Sequence, residues 1–139
     1  MTTGTAPEEG IRALAHALPR GDAGHDEALY GAWLAGWALG TTGMGVHHKI
    51  CHVLGGAYNL PHAPMHAAVL PFAAAFNEEA APAAMSAVVE ALRQGGQSAT
   101  SAPGGLFDLQ RQIGAPTCLA DVGFDPFYIG EAAALVVAG

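Results

Sequence analysis

A chain of 139 residues has room for one modest domain and too little for a nucleotide-binding domain joined to a second, substrate-holding one. Apolar residues make up 51% and charged residues 12% of it, a composition that buries a core and excludes intrinsic disorder. Twelve acidic against five basic residues give a formal charge of -7, and with no Lys/Arg cluster this argues against a nucleic-acid partner.

Residues 1–10 have no basic region followed by an apolar run and include Glu8 and Glu9, so no secretory leader is expected and the protein is placed in the cytoplasm. Alanine, leucine and methionine dominate the rest of the chain, and no alternating β-branched run reaches strand length, which predicts an all-α fold. A first helix is expected over 8–18, with Ile11, Leu14, Ala15 and Leu18 inward and Pro19 as its stop. Residues 20–25 read as a polar loop, and Asp26 as the N-cap of a long apolar helix.

The 19 residues 28–46 carry no charge and include Trp33 and Trp37. Five glycines and two threonines dilute this stretch and acids precede it, so a buried helix is preferred to a membrane span. Its small residues Gly31, Ala35, Gly36 and Gly40 predict close approach of another backbone.

After a break at 43–45, a helix is expected over 46–54, stopped by Gly55 and Gly56. The next spans 62–76, with Pro64 suited to its first turn and Pro71 expected to kink or end it. An amphipathic helix over 80–93 turns Met85, Val88, Val89 and Leu92 inward. A Gly/Ser/Pro-rich loop over 94–105, a short helix over 106–113, a connector over 114–126 and a last helix over 127–138 complete the chain.

Chemistry concentrates between residues 46 and 66. His48 and His52 are one helical turn apart, His62 and His66 repeat that spacing on the next helix, and His47 adjoins them. A short connection makes these helices neighbours, so two imidazole pairs can approach one another. The spacing leaves two outcomes open: a metal or anion site, or core histidines whose ring nitrogens bond backbone carbonyls. Cys51 reads as a reduced, buried packing residue, and two cysteines are too few for a disulfide scaffold.

The segment Gly45-Val-His-His-Lys-Ile-Cys-His-Val-Leu-Gly-Gly-Ala-Tyr-Asn-Leu-Pro-His62 resembles the signature of the maleylacetate reductases, a group within the iron-containing alcohol dehydrogenase superfamily. The likeness continues upstream through Ala28-Leu-Tyr-Gly-Ala-Trp-Leu-Ala-Gly and downstream through His66-Ala-Ala-Val-Leu-Pro71 to Asn77, and more loosely over 9–139. It implies a helical bundle of the dehydroquinate synthase-like type, corresponding to that family's C-terminal domain, with the N-terminal nucleotide-binding domain absent from this chain.

By position, the resemblance makes His48 and His62 metal ligands, for iron or zinc where a metal is used. It makes His52, with His48, the catalytic pair beside substrate and nicotinamide, and His66 and Lys49 substrate-binding. The implied activity is hydride transfer from NADH or NADPH to maleylacetate, giving 3-oxoadipate in aromatic-compound breakdown. The implied partners are a small anionic keto-acid, the missing N-terminal domain and a second copy of the chain. Members of the group usually carry Glu and Thr where Pro64 and Met65 stand, and His where Phe72 stands. No glycine pair here follows a strand, so the cofactor site is expected outside this chain, which alone would be inactive. The competing expectation is a non-catalytic helical module for metal binding or interaction.

Overall fold

The computed structural model describes residues 4–139; residues 1–3, where the segment read as lacking a leader begins, lie outside the described residues. Seven α-helices and no strand occur among the described residues: α1 (Ala6–Ala17), α2 (His25–Thr41), α3 (Val46–Tyr58), α4 (His62–Asn77), α5 (Pro82–Gln94), α6 (Ala102–Gln112) and α7 (Ile129–Ala138). Short 3-10 segments fill Leu18–Gly24, Leu119–Val122 and Pro126–Tyr128.

Helix α1 begins where the Thr5 backbone N–H donates to the Glu8 carboxylate, at 3.1 Å, supplying a partner that the helix cannot. Its buried face is Gly10, Ala13, Ala15 and Ala17. The expected face is thus rotated: Ile11 and Leu14 are half-buried and Leu18 is exposed. The small side chains let α2 lie close, and a methyl placed on Gly31 would sit 3.1 Å from the Gly10 carbonyl oxygen. Residues 20–25 form a 3-10 turn and the start of α2 rather than an open loop, and Asp26 falls in the first turn of α2, with Gly24 as its N-cap. The dipole still favours Asp26 and Glu27 there.

Burial of α2 is confined to Gly31 and Leu34, while Trp33 and Trp37 remain 65% and 56% exposed. The expectation of a buried helix therefore fails within this chain, because α1 and the 3-10 turn after it cover one face only. Among the described residues no helix is long and apolar enough to cross a membrane.

Helix α3 runs through Gly55 and Gly56 to Tyr58 and stops at Asn59, whose φ of 51° is the left-handed cap. Helix α4 likewise runs through Pro71 to Asn77 without ending there. Packing overrides both local stop signals: Gly55 faces Met65 of α4, and Pro71 is buried. Helix α6 starts four residues earlier than expected, because the Ser101 hydroxyl accepts from the Gly104 N–H at 3.1 Å and caps it.

Two apolar clusters organise the chain. Ala15, Leu92, Ala99 and Leu109 join α1, α5 and α6. Cys51, Leu54, Met65, Val69, Ala73, Val122, Phe124 and Ala132 join α3, α4 and α7. Of the inward residues expected on α5, Leu92 is fully buried, whereas Met85, Val88 and Val89 are half-buried. The packing of α6 on α4 connects the two halves and holds α4 against α3, which is where the histidines lie.

Candidate functional site at the crossing of α3 and α4

The crossing brings imidazoles of both helices together. The His62 and His66 rings are 4.0 Å apart between centroids, one turn apart on α4. His48 of α3 lies 5.8 Å from His66, and His47 lies 5.2 Å from His48 and 5.4 Å from His66. His48 and His66 are half-buried, whereas His52 and His62 are exposed.

Hydrogen bonds fix which ring nitrogens are free. A carbonyl oxygen can only accept, so His47 Nε2, 2.9 Å from the His66 carbonyl, carries a proton and donates it there. By the same argument His66 Nδ1 donates to the His62 carbonyl at 2.7 Å. The unused nitrogen of His66 is then Nε2, available as an acceptor or ligand when the ring is neutral. His48 is held neutral at lower pH than an ordinary imidazole, first by burial and then by the repulsion of His47, His66, His52 and His62. Among these rings His48 is therefore suited to accept or ligate rather than to present a fixed positive charge.

A cleft of about 410 Å³ opens beside the cluster, lined by Met44, Gly45, His48, Lys49, His52, Val53 and Gly139. His48 belongs to both cleft and cluster. Lys49 and His52 line the cleft with His48, while the paired rings of His62 and His66 do not. A solvent-exposed ammonium and an exposed imidazole in one cleft can receive a small dicarboxylate and hand it a proton.

The donor chemistry suits iron or zinc, but among the described residues no three His, Cys, Asp or Glu side chains are grouped to hold a metal ion. The described residues of this chain do not by themselves fit a metal. The thiol of Cys51 lies 3.8 Å from His47 Nε2, and burial pushes it up to about 11, in keeping with a packing role.

His47, which the spacing left as a bystander, is the residue that ties α3 to α4. Its one-turn offset from Cys51, on the buried side of α3, was the available signal. Met65 is fully buried between α3 and α4, so that position packs rather than meeting solvent or ligand. The glycine pair 55–56 is inside α3 and the pair 104–105 inside α6, so neither is a strand-to-helix turn of the phosphate-binding kind.

Residues 9–138 match the model of the Fe-containing alcohol dehydrogenase family, C-terminal. The chain is 48% identical over 126 residues to a maleylacetate reductase of Burkholderia cepacia, covering 86% of this chain and 34% of that protein. Among solved structures, the maleylacetate reductase of Rhizobium sp. strain MTP-10005 superposes with a TM-score of 0.83 at 38% identity, over 95% of this chain and 38% of that one. The iron-containing alcohol dehydrogenase of Corynebacterium glutamicum does so with a TM-score of 0.83 at 43% identity, over 94% of this chain and 37% of that one. The chain thus spans about a third of the length of the relatives it matches.

Proposed function

Because the chain belongs to the Fe-containing alcohol dehydrogenase family, matching its C-terminal part, we propose that it forms the substrate-facing helical portion of an NAD(P)H-dependent reductase of the maleylacetate type. The observation that carries this reading is the continuity of the α3–α4 histidine cluster, through His48, with a cleft that also holds Lys49 and His52.

The reaction supported is reduction of an electron-poor unsaturated keto-acid, maleylacetate to 3-oxoadipate. A nicotinamide held by the cofactor-binding portion would supply hydride to a carbon conjugated with the carbonyl. The negative charge that then gathers on the substrate oxygen is what this chain's residues must meet, and one proton completes the product. His52, exposed in the cleft, is assigned the proton donor's place, with His48 beside it accepting a hydrogen bond from substrate or from His52. Lys49 pairs with a substrate carboxylate in the cleft, and His66, off the cleft wall but 5.8 Å from His48, offers Nε2 to a substrate end that reaches past His48.

NADH or NADPH is assigned to a part of the protein outside these helices, and residues 1–139 are read as one helical domain. If the family's iron or zinc is held, His48 and His62 are the imidazoles this chain contributes, and further ligands come from elsewhere. Substrate, cofactor-binding portion and any second copy of the chain are the partners so proposed, in the cytoplasm.

The test is the nicotinamide-dependent reduction of maleylacetate by this chain together with the cofactor-binding portion of the protein. His52→Ala should lower kcat by roughly 100- to 10,000-fold, the usual worth of a positioned acid–base group, with a smaller change in KM. Unchanged turnover in that variant would overturn the assignment.

A further inference from the structure

Helix α4 carries His62 and His66 and, five residues after His66, Pro71. Proline has no backbone N–H, so the carbonyl four residues earlier, that of Ala67, loses its helical donor. The side-chain amide of Gln110, on α6, donates to that same oxygen through Nε2 at 2.6 Å. Gln110 is 7% exposed and is the buried polar side chain among the described residues.

The burial of Gln110 is costly. Its Oε1 has no hydrogen-bond partner among the described residues, and an unpaired buried acceptor typically costs about 1–3 kcal/mol. A leucine or methionine would fill the same space without that cost, so packing alone does not account for a glutamine here. The donor supplied to Ala67 does. One residue earlier, the His66 carbonyl accepts from His47 of α3. Two successive carbonyls of α4 are therefore held by side chains from the two helices that flank it.

We propose that Gln110 is a positioning residue for the histidine cluster: it replaces the N–H that Pro71 lacks, and so fixes the turn of α4 from which His62 and His66 project. Its bearing on catalysis rests on the reading of these histidines as the site. The bond itself does not, and ring geometry rather than turnover is the readout, so failure of one is distinguishable from failure of the other.

The experiment is a two-by-two cycle of Gln110→Met and Pro71→Ala in the full chain, read by the NMR signals of the His62 and His66 rings and by the thermal midpoint. In the Pro71 background, Gln110→Met should move the His66 ring signals and lower the midpoint relative to the effect of the same substitution beside Pro71→Ala. In the Pro71→Ala background a backbone N–H returns to the Ala67 carbonyl, and the same substitution should shift those signals several-fold less. Equal shifts in both backgrounds, or none in the first, would overturn the proposal. Should Gln110→Met fail to fold, recovery of folding by Pro71→Ala supports the proposal and persistent unfolding contradicts it.

Discussion

His47 Nε2 donates across the helix crossing to the carbonyl oxygen of His66, so the ring of one histidine holds the backbone of another. The donor and acceptor are 19 residues apart in sequence, and the bond ties α3 to α4 at the level of the cluster. His47→Phe keeps a ring of similar shape and removes the donor. The His66 carbonyl still has its place in the helix ladder, so the loss should be that of one ordinary hydrogen bond, about 1 kcal/mol. Urea unfolding measures it. His47→Gln, which keeps a donor, should recover part of the loss, and an unchanged midpoint in the Phe variant would show that the bond is not maintained in solution.

The two thiols should differ sharply in reactivity. Cys51 is 1% exposed and its burial pushes the thiol up to about 11, whereas Cys118 is exposed. At pH 8 the thiolate fraction of Cys51 is then on the order of one in a thousand, before access is considered. A disulfide reagent should titrate one thiol quickly in the native protein and both in denaturant. Fast release of two equivalents without denaturant would mean that the α3–α4–α7 core opens readily.

Most helices were legible from composition and period, and their misplaced ends have local causes. The glycines 55–56 and Pro71 looked like stops because in isolation they are. Met65 against Gly55 and the donors from His47 and Gln110 on α4 are tertiary effects with no signal in a local window. The density of histidines over 46–66 marked the candidate region, and the one-turn spacings together with the short connection between the two helices allowed their imidazoles to approach. That His52 shares a cleft with Lys49, apart from the His62–His66 pair, depends on the rotation of α3 about its axis. Periodicity does not fix that angle to within one residue.

Acid should loosen the pairing of α1 with α2. Glu27 accepts from His16 Nδ1 at 2.6 Å and from Arg12 Nη1 at 3.2 Å, and Arg12 also pairs with Glu9 at 2.8 Å. The Glu27 carboxyl is held below its ordinary range, chiefly by His16 and then by Arg12, and that of Glu9 chiefly by Arg12. Both folded values are depressed, so the unfolded chain binds more protons as the pH falls. Their contribution is present above the unfolded value near 4.5 and is lost as the pH drops through the lowered folded values. Thermal midpoints should therefore fall as the pH drops below about 4.5, and fall less steeply in Glu27→Gln. Glu9, Arg12 and Glu27 are half-buried at the protein surface and still within reach of solvent ions, so added salt should reduce the difference. Identical acid profiles for the two proteins would mean that Glu27 contributes nothing to the acid sensitivity.

Two glycines of α2, five positions apart, should respond differently to alanine. A methyl on Gly31 would meet the Leu14 Cγ at 2.8 Å, the Gly10 carbonyl oxygen at 3.1 Å and the Ala13 Cβ at 3.2 Å. Leu14 has rotamers to spare, but the carbonyl belongs to the backbone of α1 and moves only if the whole crossing widens. Overpacking of this kind costs about 1–3 kcal/mol, against about 1 kcal/mol gained in helix propensity, so Gly31→Ala should be neutral to destabilising by up to about 2 kcal/mol. A methyl on Gly36 meets nothing within 4 Å and lies on an exposed turn of the same helix. With no clash to offset the propensity gain, Gly36→Ala should stabilise by about 0.5–1 kcal/mol. Guanidinium midpoints of the two variants decide the matter. Clear stabilisation by both would mean that α1 and α2 do not approach as closely as Gly10 and Gly31 allow, and the small residues of this helix would then need another explanation.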